Sequence, residues 1–223
     1  MSVSDQGVSD AVSAGLAALG DGELVLVYDG DDREGEVDVF LHADAVTPSA
    51  IADIRTVAGG LICVAIDAPS ADRLGLGFLD AMIDHPAAQH RPAYDARDSF
   101  SLPVNHRETH TGITDRDRAR TARAVGELAT NQSADQDTFA ATFRAPGHVP
   151  ILRAAAGGLR NRTGHTELAV TMAGAAGLAP AVIISEMLDA ETGDALSTSD
   201  AAAFASERGL VLLDSTQIID TLG

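Results

Sequence analysis

The stretch TPSAIADIRTVAGGLICVAI, residues 47–66, decides the fold class. Thr47 followed by Pro48 is a helix cap with a proline in the first turn, and Gly59-Gly60 stops that helix before a continuous apolar run. The run, residues 61–66, is short and rich in β-branched residues, as expected of a buried strand. One helix delivering one buried strand is the repeating unit of a sheet covered by helices.

The same alternation extends in both directions. Upstream, Ser9 and Asp10 are caps for a helix ending at Gly20, residues 24–28 read as a buried strand, an acidic loop follows, and residues 37–42 read as a second strand. Downstream, residues 84–97 (DHPAAQHRPAYDAR) hold two prolines and no period, and read as a long exposed loop of the kind that often carries function. Residues 99–104 alternate like a strand. Thr114 with Asp117 has the capping-box pattern for a helix to Thr130, and residues 138–144 read as a strand. Thr166 is placed as the cap of a helix ending near Gly177, residues 181–185 as a strand, Ser199 as the cap of a helix to Gly209, and residues 210–213 as a last strand. Some connections are too short for crossover helices and others are long enough, so the sheet is expected to be mixed.

Composition narrows the function. Thirty-three acids against fifteen cations give a net charge of -18, and all fifteen cations are arginines. Without lysine, a Schiff-base mechanism and a Walker-type phosphate lysine are excluded. At 223 residues and 45% apolar content the chain supports one core, built from Ala, Val, Leu and Ile since there are six Phe, two Tyr and no Trp. A single cysteine, Cys63, excludes an internal disulfide and any multi-thiolate zinc site, and with an amino terminus unlike a secretory signal it leads to a cytoplasmic reading. No apolar run approaches a membrane span, and a surface this acidic disfavours nucleic acid. An acidic halophilic surface is expected, because molar salt screens repulsion among the acids.

Two segments stand out chemically. In DDREGEVD, residues 31–38, an extended backbone would put Glu34, Glu36 and Asp38 on one face, where three carboxylates call for a cation between them. In PGHVPILRAAAGGLRNRTGHTE, residues 146–167, Gly157, Gly158 and Gly164 allow close backbone approach. Thr166 at a helix start, with Arg162 beside it, makes an anion site suited to phosphate. His165 there reads as a ligand or proton-transfer group. Glu186 sits at the carboxyl end of a buried run, where such sheets bind ligands. Cys63 reads as a small core residue, and His42, His85, His90, His106 and His110 as surface residues.

Taken in order, DDREGEVD, HTGITDRDRA (110–119), PGHVPILRA (146–154), RTGHTE (162–167) and Glu186 resemble the 3,4-dihydroxy-2-butanone-4-phosphate synthase family of riboflavin biosynthesis, over residues 9–220. The resemblance implies an α+β fold, a three-layer α/β/α sandwich on a mixed β-sheet. It also implies a homodimer with active sites at the interface. The implied activity is a lyase converting D-ribulose 5-phosphate into L-3,4-dihydroxy-2-butanone 4-phosphate and formate through a metal-stabilised enediolate, with Mg2+, or Mn2+ in its place, and no organic cofactor.

Carried over by position, Glu34 and His165 are the metal ligands, and His148 and Glu186 the catalytic pair. Arg33, Glu34, Asp38, Arg162, Thr163, Gly164, His165, Thr166 and Glu186 bind substrate, while Glu36, Cys63, Thr111 and Asp117 fall at further active-site positions. The chain departs from the family pattern at Val37, where many relatives have Gly, and across 81–97, which leaves Asp84, His85 and Arg91 unassigned. Residues 1–223 are expected to form one domain without the GTP cyclohydrolase II domain of some relatives. A non-catalytic sugar-phosphate sensor on the same scaffold would need neither His148 nor Glu186, and the nucleotide-binding threonylcarbamoyl-AMP synthases fit poorly with an acidic, lysine-free chain.

Overall fold

In the computed structural model, which describes residues 3–89 and 91–223, alternation along each strand splits the apolar residues into two cores. Val37, Val39 and Leu41 of β2 (Val37–His42) face one way with Val64 and Ile66 of β3 (Cys63–Ile66), while Phe40, Cys63 and Ala65 face the other. Side chains of a strand point alternately to opposite faces, so both faces of this sheet need helical cover.

The sheet has the order β4-β5-β3-β6-β2-β1-β7. Its other strands are β1 (Val25–Tyr28), β4 (Phe100–His106), β5 (Phe143–Arg153), β6 (Ala181–Glu186) and β7 (Val211–Asp214). The pairs β3–β5 and β1–β7 are parallel and the rest antiparallel, so the mixed sheet is as expected. The face with Val39 and Val64 is covered by α2 (Pro48–Val57), α3 (Ala68–Arg73), α5 (Asp115–Thr130), α6 (Gln136–Thr142) and α8 (Thr198–Arg208). The opposite face is covered by α1 (Val3–Gly20), α7 (His165–Ala175) and α9 (Ser215–Leu222). A short α4 (Leu79–Met82) leads into the 84–97 loop. The result is an α+β, three-layer α/β/α sandwich. Among the described residues no helix is long and apolar enough to cross a membrane.

Several local expectations are corrected. The helix α1 begins at Val3, so Ser9 and Asp10 lie inside it rather than at its start. Residues 138–142 are helical: Asp135 accepts the amide of Thr138 as cap, and a one-turn spacing stacks Phe139 on Phe143 at 4.7 Å between ring centroids. The strand then starts at Phe143 and runs through PGHVPILR. Gly164 rather than Thr166 precedes α7, and Ser197 rather than Ser199 caps α8. His42 is buried, not on the surface, because it ends a strand enclosed on both sides and hydrogen-bonds the carbonyl of Ala179 at 2.9 Å. His106 is half-buried with its ring edge-on to Phe143, whereas His85 and His110 are exposed and His90 lies outside the described residues.

Candidate active site

The acidic segment is folded around a residue that precedes it. The Asp29 carboxylate, buried at the end of β1, accepts the amides of Glu34 and Gly35 at 3.0 Å and of Glu36 at 3.1 Å. The turn this makes needs a positive φ of 72° at Gly35, a conformation that costs glycine little. Ser215 anchors the arrangement from below by donating to the Asp29 carbonyl at 2.8 Å. Glu34 therefore reaches the site over a turn, not by strand alternation as expected, and only Asp38 projects from β2.

Beyond the turn, a cavity of about 90 Å³ is lined by Glu34, Asp38, Cys63, Arg162, His165, Thr166 and Glu186, with Leu152, Tyr94, Asp98 and Ser99 at its other walls. Strand register builds it. Asp38 stands directly opposite Glu186 across the β2–β6 pair, which puts two carboxylates side by side at the carboxyl end of β6. Cys63 is buried in the wall, and its thiol is pushed far up by burial and then by Glu186 and Asp38, so it is neutral packing at physiological pH.

Burial and like charge act together on the acids. Burial, then Asp29 and Glu36, push Glu34 from its ordinary 4.5 up to about 7. Burial and then Glu34 raise Glu186; burial and then Glu186 raise Asp38 well above the usual carboxylate range. His165 is pulled down to about 4, chiefly by burial. It is therefore neutral, and Nε2 near the Val27 carbonyl at 3.2 Å takes the ring proton. The Nδ1 lone pair then faces Asp38 Oδ2 at 3.2 Å, and burial disfavours charge on both partners. The other Asp38 oxygen is buried without a partner. Donor atoms of Asp29, Glu34 and His165 lie within 4.8 Å of one another. Carboxylates with one imidazole suit Mg2+ or Mn2+, and the repulsion that raises these acids is what a divalent ion would relieve.

An arginine pair forms the cationic side. Arg162 Nη1 donates to the fully buried Glu167 at 2.5 Å, and Glu167 also accepts the amide of Ala155 at 2.7 Å, so the carboxylate fixes both the arginine and the preceding loop. Arg162 Nε and Arg33 Nη2 both donate to Asp95 Oδ2, at 2.6 and 2.8 Å. Gly164 makes room for them, because a Cβ there would run into the Arg162 guanidinium and lie 2.9 Å from Arg33 Nη2. Thr163 is half-buried in the turn, and Thr166 is the second residue of α7, on the cavity wall.

The structure does not bring every predicted residue to this cavity. His148 is exposed on β5, four residues or roughly 13 Å along the strand from Leu152. It belongs to a second cluster. Asn105 Oδ1 accepts the His148 amide at 2.9 Å and Asn105 Nδ2 meets His148 Nδ1 at 3.1 Å. Asn105 Nδ2 is also 3.4 Å from the Thr111 carbonyl, and Asp117 accepts the amide of Gly112 at 2.9 Å and the Thr111 hydroxyl at 3.5 Å. Thr111, Asp117 and His148 thus form one group, apart from Glu34, Glu186 and His165. Of the 84–97 loop, Asp84, His85 and Arg91 are exposed away from the cavity, while Tyr94 lines it and Asp95 reaches the arginines.

A family model for 3,4-dihydroxy-2-butanone 4-phosphate synthase matches residues 13–221. The chain is 45% identical over 217 residues to the 3,4-dihydroxy-2-butanone 4-phosphate synthase of Archaeoglobus fulgidus, covering 92% of this chain and 91% of that one. Two solved structures are similar. One is the Candida albicans 3,4-dihydroxy-2-butanone 4-phosphate synthase, at TM-score 0.78 and 29% identity over 95% of this chain and 97% of that one. The other is a 3,4-dihydroxy-2-butanone 4-phosphate synthase in complex with two magnesium ions, at TM-score 0.76 and 31% identity over 95% and 96%.

Proposed function

The chain belongs to the 3,4-dihydroxy-2-butanone 4-phosphate synthase family, and on that premise we propose that it is a lyase of riboflavin biosynthesis converting D-ribulose 5-phosphate into L-3,4-dihydroxy-2-butanone 4-phosphate and formate. The observation that carries this reading is a single cavity holding raised carboxylates, a neutral imidazole and a half-buried arginine. Arg33, Arg162 and the first amides of α7 hold the phosphate as a handle and leave it intact. Glu34 and His165, with Asp29 beside them, would hold the divalent ion; when bound, such an ion stabilises negative charge developing on the sugar's oxygens as a proton leaves the carbon next to the ketone. Glu186, raised above the usual carboxylate range by burial and then by Glu34, is poised to take and return protons. No organic cofactor enters this scheme.

His148 enters from a partner. We read the second cluster as completing the cavity of another copy of the chain, in a homodimer with active sites at the interface. Incubating the purified protein with ribulose 5-phosphate and magnesium tests the activity: formate is the expected product, and folded protein that releases none contradicts the reading.

A pH signature follows from Glu34. Its pKa is higher folded than unfolded, so ionising it weakens the fold as pH rises from 4.5 through about 7. A divalent ion at the same carboxylate competes with the proton and favours the ionised form. The rise in Tm on adding magnesium should therefore be small near pH 5, grow to about pH 7 and then level. Glu34→Gln should remove most of it. His165 stays neutral through this window. A magnesium effect independent of pH would contradict the assignment.

A further inference from the structure

We propose that Asp95 is an internal stand-in for the substrate's phosphate: it holds the Arg33–Arg162 pair while the site is free and gives the pair up when a phosphate arrives, so that it sets the affinity for phosphorylated ligands. This deepens the reading above and rests on it for the identity of the substrate.

The geometry has three parts. A single oxygen, Asp95 Oδ2, bridges two guanidiniums 129 residues apart in the chain, with side-chain exposures of 11% and 12% for the arginines and 10% for Asp95. Two guanidiniums this close repel one another, so an anion between them is required whenever the site is folded. One carboxylate oxygen is also a poor match for the pair: Arg33 Nε remains buried without an acceptor, and a tetrahedral phosphate brings three oxygens where Asp95 brings one.

The two carboxylates at the pair differ in how they are held. Glu167 is fully buried within α7, grips Arg162 from behind and ties down the Ala155 amide, so Arg162 keeps its place when the other anion leaves. Asp95 sits on a loop between two exposed residues, and its second oxygen accepts only the amide of its own neighbour Ala96, at 2.6 Å. Asp95 can therefore be exchanged for phosphate by movement of the loop alone. Tyr94 of the same loop and Asp98 just after it line the cavity, so release of Asp95 also opens that wall.

The test is calorimetric titration of inorganic phosphate into metal-free wild-type protein, Asp95→Asn, Asp95→Glu and Asp80→Asn. Asp80 pairs with Arg97 of the same loop and touches neither Arg33 nor Arg162, so it controls for the loss of one negative charge. Asp95→Asn should bind phosphate about tenfold tighter, because the competent site no longer has to be vacated first. Asp95→Glu should bind it as the wild type does, and Asp80→Asn should stay within about twofold of the wild type. The KM for ribulose 5-phosphate should fall in Asp95→Asn. Unchanged or weaker phosphate binding in Asp95→Asn would overturn the proposal, and so would equal tightening in Asp80→Asn, which would assign the effect to net charge. Phosphate binding needs no turnover. Tightening without formate release would sink the lyase reading and leave this inference standing; turnover with unaltered phosphate affinity would do the reverse.

Discussion

His148→Ala is expected to lower turnover by about 10²–10⁴-fold, the range of a positioned acid or base, while leaving the KM for ribulose 5-phosphate near that of the wild type. The split follows from where the side chain lies. Arg162, Glu34, His165 and Glu186 line one cavity, and His148 touches none of them. Asn105 sets the ring. Its Nδ2 and Oδ1 are 3.1 and 3.3 Å from His148 Nδ1 while its Oδ1 takes the His148 backbone amide at 2.9 Å, so Asn105 holds the ring from the Nδ1 side. Steady-state kinetics of the variant measure the split directly. Full turnover, or a loss confined to KM, would show that His148 only packs against Asn105.

The neighbouring Gly147→Ala should be as damaging for a different reason. The Cβ of an alanine there would fall on the backbone carbonyl carbon of Val104 and the amide nitrogen of Asn105, closer than any real carbon contact. Backbone cannot rotate away as a side chain can, so β4 and β5 must separate where their register already shifts between Val104 and Asn105. A loss of about 3 kcal/mol is expected, at the upper end of overpacking costs, with the His148 ring displaced along with the strand. Chemical denaturation and kinetics should therefore fail together in this variant, whereas His148→Ala should lower turnover with little loss of stability. A Gly147→Ala protein as stable as the wild type would contradict the strand contact.

How much of this was legible in the sequence depended on how local each determinant is. The bounds of β2 and α5 match the expectation residue for residue, since Thr114 accepting the Asp117 amide and the run VDVFLH are complete in themselves. Residues 138–142 went wrong because Thr and Phe favour strands, and what overrode them was the Asp135 cap with the stacking of Phe139 on Phe143, a pair that reads equally well in either period. At the site, motif resemblance led to Glu34, Arg162, His165 and Glu186, which line one cavity, but not to their supports. Asp29, Glu167 and Asp95 act through Glu34, Arg162 and Arg33, and only the topology brings Asp95 to partners 62 and 67 positions away. Asp29 carried a faint signal, an acid directly before Gly30 at a strand end. Asp95 carried none, lying in a loop without period. Nor could spacing alone show that Glu34 and His148 occupy separate clusters of one chain.

That separation underlies the proposal that the acidic cavity and the His148 cluster are two halves of one lyase site, supplied by different chains. Coexpressing Glu34→Gln with His148→Ala tests it most directly. Each variant alone should be inactive, but half of randomly paired dimers carry one intact cavity facing one intact His148, so formate release should return to about a quarter of the wild-type rate. No recovery from mixed dimers, with both variants folded and paired, would contradict it.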